Sequence, residues 1–138
     1  MRIASAAGSS TDVTDRVARL LGLATEAREA GSNSAGNLLA PAINTILATT
    51  GALANPGIYR VVVVLGTDTS NNQQMWQVQH RNAADTATLV SFPMAAVASS
   101  LGTFTFYLTI AANERVRVTN IIAGVGNMHA ALSWERIS

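Results

Sequence analysis

The chain has no cysteine and no lysine, and charged residues fill only 12% of its 138 positions. Without cysteine there is neither a disulfide framework nor a thiol nucleophile. Without lysine there is no phosphate-cradling Gly-Lys loop. Every basic residue is an arginine, nine against eight acids, for a formal net charge of +1. The arginines are spread along the chain and form no basic stripe, so nucleic acid is not expected as a partner. The longest apolar run, residues 58–65, is interrupted by Arg60 and is far too short for a membrane span. The start, Met1-Arg2-Ile3-Ala4-Ser5-Ala6-Ala7-Gly8, lacks the apolar stretch of a signal peptide. A soluble product, intracellular at synthesis and without a membrane partner, is the expectation.

The charged fraction is about half the roughly 25% usual in soluble domains, while apolar residues make up 49%. So few charges leave weakly polar surface that other subunits would cover, since exposed apolar patches mark contact sites. A coat of Thr, Ser, Asn and Gln is the alternative.

What is present divides into zones. Residues 1–10 are small and polar. Over 11–30 the apolar positions Val13, Val17, Leu20, Leu21 and Ala24 fall at helical spacing, with Thr11 or Asp12 able to cap the start. Gly22 could end the helix after Leu21 or merely weaken it, Gly31 is the firmer stop, and Gly31-Ser32-Asn33-Ser34-Ala35-Gly36-Asn37 reads as a flexible linker. Residues 1–37 are therefore expected to be an N-terminal arm with a short helix and linker, and 38–138 a β-domain.

In the second part the period is two. Phe104, Phe106, Leu108 and Ile110 alternate with Thr103, Thr105, Tyr107 and Thr109. Val116 and Val118 alternate with Arg115 and Arg117, and Met128, Ala130, Leu132 and Trp134 with His129, Ala131, Ser133 and Glu135. Trp76 and Val78 oppose Gln77 and Gln79, and 45–50 and 86–92 are shorter candidates. Reversals at Asn55-Pro56-Gly57, 66–72, Ala112-Asn113-Glu114 and Gly124-Val125-Gly126-Asn127 separate them. About seven strands with these turns predict a mainly β fold, an antiparallel β-sandwich or jelly roll. In Ile58-Tyr59-Arg60-Val61-Val62-Val63-Val64-Leu65 both faces are apolar. Either this strand is covered by the N-terminal segment, or Val62 and Val64 meet a neighbouring subunit.

Searches for chemistry fail in turn. There is no Gly-x-Ser-x-Gly, and His80 and His129 lie in strand patterns with only chance acidic neighbours such as Asp85 and Glu135. They read as surface or interface histidines; if their strands pair, they would form a pH-sensitive contact. Two isolated histidines cannot make a zinc site. Asp68, Ser70 and Asn72 begin a calcium-loop spacing, but Gln79 stands where the bidentate acid belongs. No catalytic, cofactor-binding or metal residue is assigned, no cofactor is expected, and the chain reads as a non-enzyme. Trp76 and Trp134 are expected in the core, whereas Tyr107, on the threonine face, is the better exposed contact. Arg60, Arg115 and Arg117 read as cross-strand or inter-subunit ion-pair partners of Glu114 and Glu135.

The strand order resembles the jelly roll of the tumour-necrosis-factor and complement-globular family. The residues concerned are Gly57-Ile58-Tyr59-Arg60-Val61, the run Phe106-Tyr107-Leu108-Thr109-Ile110 into Asn113-Glu114-Arg115-Val116, and Gly126-Asn127-Met128-His129-Ala130 before the last strand. Asn113-Glu114 stands where that family usually has Gly-Asp. The resemblance covers residues 57–137 and implies a compact trimer. A second resemblance is short: Asp15-Arg16-Val17-Ala18-Arg19-Leu20-Leu21-Gly22 looks like the opening of many small bacteriophage structural proteins, in which an arm precedes a β-rich domain on the virion. It implies a homo-oligomer on a virus particle, assembled in the host cytoplasm and bound to a major capsid or other virion protein. A capsid decoration (cement) protein is the first expectation, a receptor- or glycan-binding fibre module the second. The assembly arm would use Val13, Arg16, Val17, Arg19, Leu20 and Leu21. The subunit interface would use Tyr59, Val62, Val64, Tyr107, Arg115 and Arg117. The alternative for Val13, Val17, Leu20 and Leu21 is packing on the chain's own sandwich.

Overall fold

A computed structural model of the chain describes residues 29–67, 74–96, 101–124 and 126–138. These form eight strands: β1 (Ala30–Leu39), β2 (Ile46–Thr49), β3 (Gly57–Thr67), β4 (Gln74–Arg81), β5 (Thr88–Ala96), β6 (Leu101–Ile110), β7 (Arg115–Asn120) and β8 (Asn127–Arg136). They pair antiparallel into two four-stranded sheets, β1-β8-β3-β6 and β2-β7-β4-β5. Alternation dictates the sandwich, because the strands β3, β4, β6, β7 and β8 each turn one apolar set inward. Tyr59, Val61, Val63 and Leu65 of β3, Leu108 and Ile110 of β6, and Met128, Ala130 and Leu132 of β8 meet Trp76, Val78, Val116 and Val118 of the other sheet. All of these are buried.

Two sequence expectations need correction here. The Gly/Ser/Asn stretch expected as a linker is strand β1, and the boundary expected at residues 37/38 falls inside it. Backbone pairing with β8, from Ala30 opposite Glu135 to Leu39 opposite Asn127, needs little from the side chains. At Gly31 the absence of a side chain is itself required: a Cβ there would lie 2.5 Å from Trp134 Cζ2. The helix expected over 11–30 lies outside the described residues except for Glu29, which precedes β1, and Ala30, which opens it.

Turns and polar anchors fix the ends. Asn113 adopts φ 67° in the β6–β7 reversal, the role a glycine would otherwise take, and its amide donates to Leu53 O at 2.7 Å. Buried Asn120 donates through Nδ2 to the carbonyls of Pro41, Ala42 and Ile122 and accepts from the Thr45 amide, tying the β1–β2 connection to β7. Glu29 accepts from the amides of Ala54 and Asn55, from Asn55 Nδ2 and from the Tyr59 hydroxyl at 2.7 Å. Burial pushes the Glu29 carboxyl up, but those hydrogen bonds outweigh it and hold it below the usual range. The Tyr59 phenol is pushed well above its usual value, first by burial and then by Glu29.

Candidate assembly face

The outward side of β1-β8-β3-β6 follows from the register. Ser32, Ser133, Val62 and Thr105 form one cross-strand row, and Ser34, Ala131, Val64 and Thr103 the next. A third row runs Ala30, Glu135, Arg60, Tyr107. The first two rows carry no charge. An open trough of about 320 Å³ lies along them, floored by Val62, Val64 and Ala131 with Ser32 and Ser133 at its side. A second hollow, sharing Val62 and Ser133, continues it towards Arg60 and Trp134. Charge enters only at the end, where Arg60 Nη2 meets Glu135 Oε2 at 3.0 Å, the cross-strand pair expected for these residues. Tyr107 stands beside it, 64% exposed.

The β5–β6 side of the sandwich is a second apolar surface. Here β5 and β6 are the outermost strands of their sheets. The rings of Phe92 and Phe106 meet across the gap with centroids 4.8 Å apart. Phe104 and Val90, both of inward parity, are 38% and 43% exposed because the sandwich has no further strand to cover them. The β1–β2 side is mixed: Asn33 Oδ1 accepts from the Thr49 amide, while Leu39, Ile43 and Ile46 around the β1–β2 connection are exposed.

On the outward side of β2-β7-β4-β5 the polar residues gather on the middle strands β7 and β4, whereas Leu89 of β5 is exposed. Gln79 stands opposite Arg117 and Arg81 opposite Arg115. Asp85, at φ 57° in the β4–β5 turn, brings its carboxylate back over them. It accepts from Arg81 Nε at 2.8 Å and lies 3.4 Å from Arg117 Nη1 and 3.7 Å from Arg115 Nη1. The Arg81 hydrogen bond, reinforced by the three positive charges, holds the Asp85 carboxyl below the usual range. The Arg117 guanidinium is shifted down by burial and by Arg81, with Asp85 opposing.

The six residues expected at a subunit interface are thus not one patch. Val62, Val64 and Tyr107 share the outward side of the first sheet. Tyr59 does not join them: it is fully buried in its own subunit, where its hydroxyl shares its one proton between Glu29 and Asn55 O. Arg115 and Arg117 lie on the other sheet and are paired within the chain with Asp85, not with Glu114. The arm residues Val13, Arg16, Val17, Arg19, Leu20 and Leu21 lie outside the described residues, as do Asp68, Ser70 and Asn72.

Of the two histidines, His80 differs from expectation. His80 is buried, and its Nε2 meets Glu114 Oε2 at 2.6 Å. Burial raises the Glu114 carboxyl, but the Ala111 amide and His80 outweigh it and leave it lowered. His129 is exposed on β8, in the other sheet, so the two histidines do not pair. Trp76 is buried in the core as expected, and Trp134 is half-buried against Gly31. Among the described residues no cluster of three metal-ligating side chains occurs. No helix among them is long and apolar enough to cross a membrane.

Neither Asp85 nor the Phe92–Phe106 edge stands out in the strand pattern of the sequence. The signal for Asp85 is the turn Asn82-Ala83-Ala84-Asp85, which returns its acid to the preceding strand. No family model matches the chain, and no curated protein matches it in sequence. Solved structures do match in shape. A TNF structure, Eiger from S. frugiperda, superposes with a TM-score of 0.56 at 15% identity, over 80% of this chain and 93% of that one. The globular domain of zebrafish complement 1qA protein gives 0.53 at 10% identity, over 80% and 96%. At such identities the likeness concerns architecture alone, and the chain has the jelly-roll fold of the TNF and complement globular domains.

Proposed function

We propose that the chain is a non-enzymatic assembly module whose subunits join edge to face into a closed homotrimer. One observation carries this: two uncovered apolar surfaces sit on different sides of a single chain. The β5–β6 edge, with Phe104 and the Phe92–Phe106 pair, is aromatic. The outward side of β1-β8-β3 is a shallow trough of Val, Ala and Ser. A contact between two different patches is head-to-tail, and it closes into a ring when the rotation permits. Val62 and Val64 are already half-buried, so covering the remainder would contribute less than the roughly 1.5–3 kcal/mol of burying a whole side chain. The jelly-roll likeness supports a trimer as the size of that ring.

The setting we propose is a bacteriophage particle, on which the trimer acts as a decoration (cement) protein and stabilises the shell by subunit contacts rather than by chemistry. The support is the Asp15-Arg16-Val17-Ala18-Arg19-Leu20-Leu21-Gly22 segment together with the Lys-free, charge-poor composition. Residues before Glu29 would hold the particle. Light scattering of the full chain and of a chain beginning at Glu29 tests both parts. A trimer in both, with particle binding only in the full chain, is the expected result. A monodisperse, folded monomer at tens of micromolar sinks the assembly reading.

A further inference from the structure

On the other sheet, three guanidinium groups converge on one carboxylate. The register places Arg81 directly opposite Arg115, with Arg117 one outward position further along β7. Like charges directly opposite one another are unfavourable in a sheet. Asp85 mitigates this for all three, but three positive charges against one negative leave an excess of two. The other described acids are engaged elsewhere: Glu29 with Tyr59, Glu114 with His80, Glu135 with Arg60.

The three arginines are not equivalent. Arg81 uses all three of its nitrogens, Nε to Asp85 Oδ1, Nη1 to Thr88 Oγ1 and Nη2 to Asp85 O. It holds the turn. Arg117 is fixed at Nε by Gln79 Oε1 at 2.7 Å, and Arg115 at Nη2 by Ala83 O at 3.2 Å. A guanidinium carries five N–H donors, so both retain donors beyond these bonds. Arg115 Nε is shielded from solvent and has no acceptor among the described residues. Two forks with spare donors, held in place by neighbours and carrying uncompensated charge, suit a ligand with several oxygens.

We propose that Arg115 and Arg117, framed by Arg81 and Asp85, form a binding site for a tetrahedral oxyanion, a phosphate or sulfate ester, on the outward side of β2-β7-β4-β5. The site lies on the opposite side of the sandwich from the assembly trough, so it stands whether or not the edge-to-face reading does.

Calorimetric titration of the full chain with inorganic phosphate, and separately with inorganic sulfate, at pH 7 and low ionic strength tests the site. Saturable binding is expected, weakening several-fold as salt rises from about 20 to about 150 mM because the site is partly exposed. The double variant Arg115→Gln, Arg117→Gln should lose about tenfold or more in affinity, the scale of lost charge-assisted hydrogen bonds. Asp85→Asn removes the resident anion and should tighten binding while leaving the strands paired. A sugar phosphate and a sugar sulfate, titrated in parallel, identify the source of the oxyanion by which binds more tightly. No saturable heat with either inorganic anion overturns the proposal, as does binding that the folded double variant retains in full.

Discussion

The two sheets have the same number of strands, the same antiparallel pairing and the same alternation, yet their outward sides differ. On β1-β8-β3-β6 the central outward rows hold Val62, Val64, Ala131, serines and threonines, and the ion pair Arg60–Glu135 sits at the end. On β2-β7-β4-β5 the outward side holds Gln77, Gln79, Arg81, Arg115 and Arg117, knitted by Asp85 and by the Gln77–Ser91 hydrogen bond. A sheet that faces water can carry such groups, partly paired among themselves and partly left with donors to spare. A sheet without such groups is suited to being covered.

Changing the outward sides should break this contrast in graded steps. The largest effect is expected from Val62→Asp, which would place an unpaired carboxylate in a covered contact. That penalty is several kcal/mol, enough to weaken association by more than about a hundredfold. Sedimentation should show a folded monomer, whereas Gln77→Asp on the other sheet should leave the mass unchanged. Next is Gly31→Ala, which forces a Cβ into the Trp134 ring and should cost about 1–3 kcal/mol in urea melts. Insensitivity there would argue that the residues after Ala30 do not pair with β8.

Asp85→Asn should cost about 1 kcal/mol at pH 7, a figure reduced for solvent screening of a partly exposed group. Its sign with pH follows from the lowered carboxyl. A depressed folded value gives stability that is complete above the ordinary Asp value near ~4 and is lost as pH falls through the folded one. The gap between wild type and Asp85→Asn should therefore narrow in melts below about pH 4. Glu135→Gln should do least, within about 0.5 kcal/mol, because its partner Arg60 is well exposed.

Much of the fold is legible in the sequence because alternation reports burial directly. Parity even contains the correction for Tyr59. Arg60 marks the outward side of β3, so Val62 and Val64 share it, while Tyr59 must go inward with Val61, Val63 and Leu65. Strand β1 is hidden because its pairing is carried by backbone groups and by tolerance of Trp134, neither of which leaves a hydrophobic pattern. The partners of Arg115 and Arg117 are hidden for another reason. Asp85 lies 30 and 32 residues earlier, and only the β4–β7 register brings it near. The apolar β5–β6 edge is a property of sheet order, which strand patterns do not specify.

The clamp at Glu29 has a mechanical consequence. Tension applied through the preceding residues reaches the sandwich at the start of β1, an outermost strand bonded only to β8 within its sheet. Pulled sideways, that ladder would open one rung at a time from Ala30–Glu135, at low force. Before it can open, the Glu29 carboxylate must let go of Ala54, Asn55 and Tyr59, and its carbonyl must let go of the Arg136 amide, all together. The domain thus bears load at its tether as a shear-resistant buckle in front of a zipper.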